Sequence, residues 1–303
     1  MPNDTPRSAQ RSSPAPIELF KDGRSLPNAA RFWNAAGGGR DAFHIDRRLF
    51  YDLDAKVQDL ISRERKARTL SDASFAALVD ANRQFVHRAS AYLAGQLGID
   101  QYIDLGVGLP VDDHIHRIVQ SINPDAKVLY VDNDPMAVRK AQGLFESSNS
   151  HIRVVDADIF APKELLHHEE VASFLDWSRP VAIFATATLH EHPDGTTEQL
   201  AEIMRTYIDH ASPDSCTVIS HFFDPELPDW NDAIQTIQNE LHSGLGRGTF
   251  RTRAEIEALF PNQRLLAPGV VPCLHWPTSA DDQTIWIQTC IAGGVGQKCP
   301  PPI

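Results

Sequence analysis

Cysteine is scarce in this 303-residue chain: its four copies, Cys216, Cys273, Cys290 and Cys299, form no C-x-x-C pair and no zinc-ligand spacing. No disulfide framework and no metal are therefore expected, and three of the four fall in or beside expected strands as buried, reduced thiols. Long apolar runs are missing as well. Nothing approaches the roughly 20 residues of a membrane helix, and the polar start MPNDTPRSAQRSSPAP has no signal-peptide core. The expectation is a cytoplasmic chain with no membrane partner. Basic charge is also in deficit, with 28 Lys and Arg against 40 Asp and Glu, a formal charge of −12. Nucleic-acid binding is driven by phosphate neutralisation, so no nucleic-acid partner is expected. No internal repeat and no H-E-x-x-H occur; the adjacent His167 and His168 of LHHEE point to different sides of a helix and read as a solvated face.

What is present is concentrated in Gln101 to Pro135, QYIDLGVGLPVDDHIHRIVQSINPDAKVLYVDNDP. Ile103 and Leu105 flank Asp104 in a short apolar strand, and Gly106 and Gly108 make the turn after it. Ile115, Ile118, Val119 and Ile122 recur at helical spacing, and Lys127 to Val131 forms the next strand, ending in Asp132. An acid at that strand end meets a ribose in a Rossmann-like unit; the other role open to Asp132 is a helix N-cap. Glycine spacing alone does not choose the nucleotide. G-V-G-L-P-V lacks the third glycine of a dinucleotide turn. Asp104 before the glycines and Asp112 and Asp113 after them suit a cationic amino group and repel a pyrophosphate. S-adenosylmethionine has that ammonium, a ribose diol and no phosphate, and is favoured over NAD.

Around this unit the chain divides into a disordered tail (1–16), an N-terminal helical segment or lid (17–98) and a nucleotide-binding domain (99–298). The tail is too poor in apolar side chains to offset ordering entropy. Gly37, Gly38 and Gly39 mark a bend between helices. One amphipathic helix is expected from about Arg48 to Arg68, and another from an N-cap near Asp72 to about Gln96, whose Phe75, Leu78, Val79, Phe85, Val86, Ala89 and Leu93 make one apolar stripe. Strands at Ile152–Val155, Val181–Ala185 and Cys216–Ser220 alternate with helices, including Thr197–His210, which implies a mostly parallel α/β sheet. Leu265–Leu274 and Thr284–Ile291 are expected to pair as an antiparallel hairpin at its edge.

In order, DLGVGLP, YVDNDP, VDADIFAP and PVAIFATATLHEHPD resemble the motifs of class I S-adenosylmethionine-dependent methyltransferases. More narrowly, Gly38 to Phe43, Ala81-Asn82-Arg83, Asp104 to Val111, Tyr130 to Pro135 and Gly293-Gly294-Val295 resemble the actinobacterial-type S-adenosyl methyltransferase family over residues 28 to 298. The resemblance implies a Rossmann-like, seven-stranded class I sheet with an antiparallel C-terminal hairpin and an N-terminal helical extension. It also implies S-adenosyl-L-methionine as cofactor and S-adenosyl-L-homocysteine as product. By position, it places Asp104, Gly106 and Gly108 at the methionine portion, Asp132 at the ribose diol, Asn133 beside the adenine, Asp158 on the adenine amino group with Ile159 against the ring, and Ala185 where the backbone meets the methionine moiety. Asp156 is an equally charged neighbour of Asp158. The chain departs from the family at Val107 and Val111, where threonines are usual, at His114-Ile115-His116-Arg117, and at Arg40 and Ala42 of the glycine element.

A sulfonium methyl is already activated, so an enzyme must chiefly place the nucleophile, and a base is needed only for a protonated acceptor. His190, after the fourth strand, and His221, after the fifth, are the catalytic candidates, with Glu191 and His192 beside them. Arg40 or Arg83 could meet the methionine carboxylate, against a plain helix corner with a surface arginine. The need for a lid, and the absence of a basic groove and of the N-P-P-Y type motif of base methylation, favour a small-molecule acceptor, methylated on O, N or C. Two readings stand beside this one: S-adenosylmethionine binding with non-methylating chemistry or without turnover, and a nicotinamide oxidoreductase. A homodimer is left open.

Overall fold

The computed structural model describes residues 20–21, 24–63, 74–110, 114–192, 195–278 and 286–299. The tail over 1–16, the N-cap near Asp72, and Val111, Asp112 and Asp113 lie outside them. Strands β1 (Phe20–Lys21) and β2 (Arg24–Ser25) pair with each other. Helices α1 (Ala29–Ala36), α2 (His44–Arg63) and α3 (Phe75–Gly95) follow. Ser74 caps α3 by accepting from Ala76 N at 3.2 Å, and Asp54 of α2 accepts from Phe75 N at 2.7 Å. The first turn of α3 is thereby tied to its neighbour as well as capped.

Alternation then begins: β3 (Gln101–Leu105), α4 (Ile115–Ile122), β4 (Lys127–Asp132), α5 (Pro135–Leu144), β5 (Ile152–Asp156), α6 (Pro162–Leu166), α7 (Glu169–Phe174), β6 (Ala182–Thr186), α8 (Thr197–His210) and β7 (Cys216–Phe222). The last part holds α9 (Asn231–Leu245), α10 (Arg253–Glu257), β8 (Gln263–Leu265), β9 (Val271–Pro272), α11 (Trp286–Thr289) and β10 (Ile291–Lys298). The sheet runs β5-β4-β3-β6-β7-β10-β8, with β9 pairing β10 off this path as an eighth strand. From β3 to β7 the pairing is parallel, and every residue of β3, β6 and β7 is buried except Thr186 at the end of β6. Such continuously buried strands are what a sheet covered on both faces produces. One face, with Tyr102, Tyr130, Phe184 and Val218, packs on Phe32, Phe75 and Phe85 of the N-terminal helices; the other, with Ile103, Leu129 and Ile183, packs on Leu200, Met204 and Tyr207 of α8.

The C-terminal part of the sheet is antiparallel as expected, but its strands lie elsewhere in the chain. Within Leu265–Leu274 the chain makes two short strand pieces and a 3-10 turn, and the Trp286–Thr289 part of the second expected strand is helix. The antiparallel element is β10, IAGGVGQK, inserted between β7 and β8. Its three glycines give it a weak strand signature. They are there for packing: a Cβ on Gly293 would stand 2.6 Å from Cε1 of Phe85, so α3 lies directly on the strand backbone. The helices α9 and α10 were not expected, although Ile234, Ile237 and Leu241 at i, i+3 and i+7 and the left-handed C-cap Gly246 signal α9.

Candidate active site

The chain runs outward from β3 to β5 and then returns across β3 to start β6. Beyond the carboxyl ends of β3, β4 and β6, where the strand order reverses, lies a cavity of about 280 Å³. Its floor is the glycine turn. Gly106 and Val107 both donate to Val131 O, at 2.8 and 3.0 Å, and Gly106 has φ +98°. A Cβ there would come within 2.3 Å of Thr188 Cγ2, so both the dihedral and the space demand glycine.

Asp132 ties this turn to the next. One carboxylate oxygen accepts from Gly108 N and the other from Asp134 N, both at 2.8 Å. It is not a helix N-cap; Asp134 caps α5, accepting from Met136 N at 2.8 Å and Ala137 N at 3.0 Å. Two N–H donors favour the charged form of Asp132, yet burial outweighs them and raises its pKa. Asp104, buried beside it, has its carboxyl pushed up to about 8, by burial first and by Asp132 second. His114 also lines the cavity; behind it His116 stacks at 6.2 Å between centroids, and His116 Nδ1 meets the Tyr130 hydroxyl at 2.8 Å. Burial lowers His114 to about 3 and His116 to about 4, so both rings are neutral.

The roof is α1. Asn28 Nδ2 donates to Asp134 Oδ2 at 3.0 Å, and Trp33 Nε1 donates to Glu191 Oε1 at 3.1 Å, so the helix is tied to both rims of the cavity. Arg83 reaches in from α3 and donates to Gly37 O at 3.0 Å, pinning the bend at the end of α1. On the β6 side, Ala187 holds φ +54° although it carries a Cβ; its N–H donates to Ser220 Oγ at 2.9 Å, and Ser220 in turn donates to Asn82 Oδ1 at 2.6 Å. Backbone strain kept in place by a side-chain network at a cavity wall is a mark of a functional site.

Of the expected site residues, the structure brings Asp104, Gly106, Gly108, Asp132, Asn133, Ile159 and Arg83 to this cavity. Ala185 is buried below it, and the neighbouring Thr186 and Ala187 line it instead. Asp158 is exposed, does not line the cavity and accepts from Phe160 N at 2.9 Å; Arg40 is exposed and also lies off the lining. His221 lies inside β7 rather than after it. Its Nδ1 donates to Phe222 O at 2.8 Å and its Nε2 accepts from Arg251 Nη1 at 2.8 Å, so both nitrogens are committed to the fold, and the ring is off the cavity. His190 is fully buried, stacked on Phe222 at 3.8 Å, with no hydrogen bond at either nitrogen; its neighbour Glu191 is the one on the cavity wall. The residues not foreseen are Asn28, Trp33, Asn82, Thr188 and Arg247. Trp33 carried a signal, the aromatic pair before the glycine bend. Arg247, placed by the unforeseen helix α9, carried none.

A doubly wound sheet with a glycine turn, an acid at the second strand end and a cavity at the switch point defines a nucleotide-cofactor enzyme. The buried Asp104 carboxyl on the cavity wall, matched to a cation, and the absence of a third turn glycine fit a sulfonium amino acid better than a pyrophosphate. The chain belongs to the S-adenosyl methyltransferase family, whose model matches residues 22–299. It is an S-adenosylmethionine-dependent methyltransferase, and the nicotinamide reading falls away. Among solved structures it is similar to a candidate methyltransferase from Thermobifida fusca YX, with TM-score 0.78 and 30% identity over 91% of this chain and 96% of that one. It is also similar to a DUF574 family protein from Streptomyces avermitilis MA-4680, with TM-score 0.75 and 28% identity over 90% and 98%. No curated protein matches the chain. Among the described residues no helix is long and apolar enough to cross a membrane.

Proposed function

We propose that this enzyme methylates O, N or C of a small-molecule acceptor, such as a secondary metabolite, in the cytoplasm. The observation that carries this reading is the roof: α1, tied down by the Asn28–Asp134 and Trp33–Glu191 hydrogen bonds, partly covers a cavity of small-molecule size. S-adenosylmethionine, when bound, supplies a methyl carbon that passes to the acceptor's lone pair while the sulfur keeps the electrons of the broken bond. Asp104 receives the ammonium, Asp132 the ribose diol through its remaining lone pairs, Asn133 and Ile159 the adenine end, and Arg83 the carboxylate. The Thr186–Thr188 strand end, Glu191 and Trp33 are left to bound the acceptor. His190 stands behind Glu191 at 3.6 Å, placed for proton transfer through that carboxylate; His221 holds Arg251 and the β7 end in place.

Calorimetry with S-adenosylmethionine and S-adenosylhomocysteine tests the cofactor site; micromolar binding is expected. An S-adenosylhomocysteine-release screen over small acceptors, proteins and nucleic acids then tests the acceptor class. Transfer to a polymer with none to small molecules would overturn it, and release without any methylated product would favour non-methylating chemistry.

A further inference from the structure

The cofactor brings one carboxylate, but two arginines line the cavity. Arg83 sits against the Gly37 end of α1, with its donor bond to Gly37 O. Arg247 sits beside Glu191, the residue that accepts from Trp33 Nε1. It follows Gly246, the left-handed residue that stops α9, so its backbone position is set while its side chain stays 40% exposed. Its ties are weak. Among the described residues its Nε donates to Leu245 O at 3.3 Å and stands 3.8 Å from Glu191 Oε2, an ion pair beyond hydrogen-bond length. The planar guanidinium has five donors in a fork shaped for a carboxylate, and this leaves most of them unused.

The surrounding wall has further unused polar capacity. Thr188 Oγ1 and Glu191 Oε2 are buried without a hydrogen-bond partner. Buried polar atoms are paired in the great majority of folded proteins, so these two oxygens, of which Glu191 Oε2 faces the loosely held guanidinium, describe a surface completed by a ligand that donates hydrogen bonds to them. Glu191 itself is fixed from behind by Trp33 Nε1, which makes it a positioning residue that keeps Arg247 turned toward the cavity. The acids Asp104, Asp132 and Asp134 line the glycine-turn side, whereas on the Arg247 wall the carboxylate of Glu191 is offset by the guanidinium, so an anion is better tolerated there.

We infer that the acceptor is a small organic acid, a molecule carrying a carboxylate beside the hydroxyl or amine to be methylated, and that Arg247 grips this carboxylate. The inference rests on the methyltransferase reading of the cavity. It is tested on the full chain saturated with S-adenosylhomocysteine, by ligand-observed NMR titration of matched probes: 4-hydroxybenzoate against its methyl ester, and 3-hydroxybutyrate against its methyl ester. In at least one pair the acid should bind saturably and at least tenfold tighter than the ester. Arg247→Gln should erase the difference and Arg247→Lys should keep part of it, with S-adenosylhomocysteine affinity unchanged in both. Equal binding of acid and ester, no saturable binding of either acid, or a preference surviving in Arg247→Gln would overturn the inference. Failure of the wild type to bind S-adenosylhomocysteine would instead overturn the cofactor site, so the two failures are distinct.

Discussion

Cofactor binding should release a proton from Asp104. In the free protein burial holds this carboxyl at about 8, so at pH 7 about nine molecules in ten carry the proton. Bringing an ammonium to about 4 Å in surroundings of effective dielectric about 20 favours the ionised form by about 4 kcal/mol. At 1.36 kcal/mol per pKa unit this lowers the bound-state value by about three, to about 5. The sign follows: the bound state holds fewer protons, so affinity strengthens as pH rises toward the free-state pKa and levels off above it. Between pH 5.5 and 7, below the range in which an α-amino group itself titrates, the dissociation constant for S-adenosylmethionine should fall about twentyfold. Calorimetry at pH 7 in buffers of different ionisation enthalpy should read about 0.9 proton released per site. Asp104→Asn should bind more weakly at pH 7 and lose both the slope and the released proton. A pH-independent affinity in the wild type, or a slope that persists in Asp104→Asn, would refute the reasoning.

Gly106→Ala should abolish measurable cofactor binding and cost about 1–3 kcal/mol of stability, since it forces a Cβ to φ +98° and 2.3 Å from Thr188; cofactor affinity near that of wild type would show that the turn can relax. Asp132→Ala leaves two backbone N–H groups at the turns without their acceptor, so urea denaturation should show a loss of about 2–4 kcal/mol. Asp132→Asn, which keeps one acceptor, should fold better yet still lose most of the ribose contact. Asp46→Ala strands the buried Arg31, its partner at 2.7 Å, and should destabilise the α1–α2 corner by about 3–5 kcal/mol in the same assay. Trp33→Phe removes the donor to Glu191; faster amide exchange in α1 with the sheet unchanged is the expected outcome, and unaltered exchange would mean that the roof is held elsewhere.

The first nucleotide-binding unit was legible residue by residue, because the two periodicities of strand and helix and the glycine turn are local properties of the chain. Gln101 to Pro135 by itself determined β3, α4 and β4, their order, the acid at the second strand end, and hence the class of ligand. Thr197 to His210 was legible to the residue because a capping box starts it. What the sequence did not determine lies where a residue's role is set by something far along the chain. The glycines of β10 look unlike a strand until Phe85 of α3 is seen resting on Gly293, and Phe260 and Gln263 on Gly296. His190 and His221 look alike as histidines at strand ends; the tertiary structure separates them, giving both nitrogens of His221 to Arg251 and the backbone and leaving His190 unpartnered behind Glu191. The proposed acceptor wall, built from Trp33 of α1, Thr188 and Glu191 after β6, and Arg247 after α9, joins segments more than 50 residues apart in sequence. The proposed cofactor site was readable because one βαβ unit carries most of it, whereas the proposed acceptor wall depends on side chains that share only a cavity, and packing alone decides which of them meet.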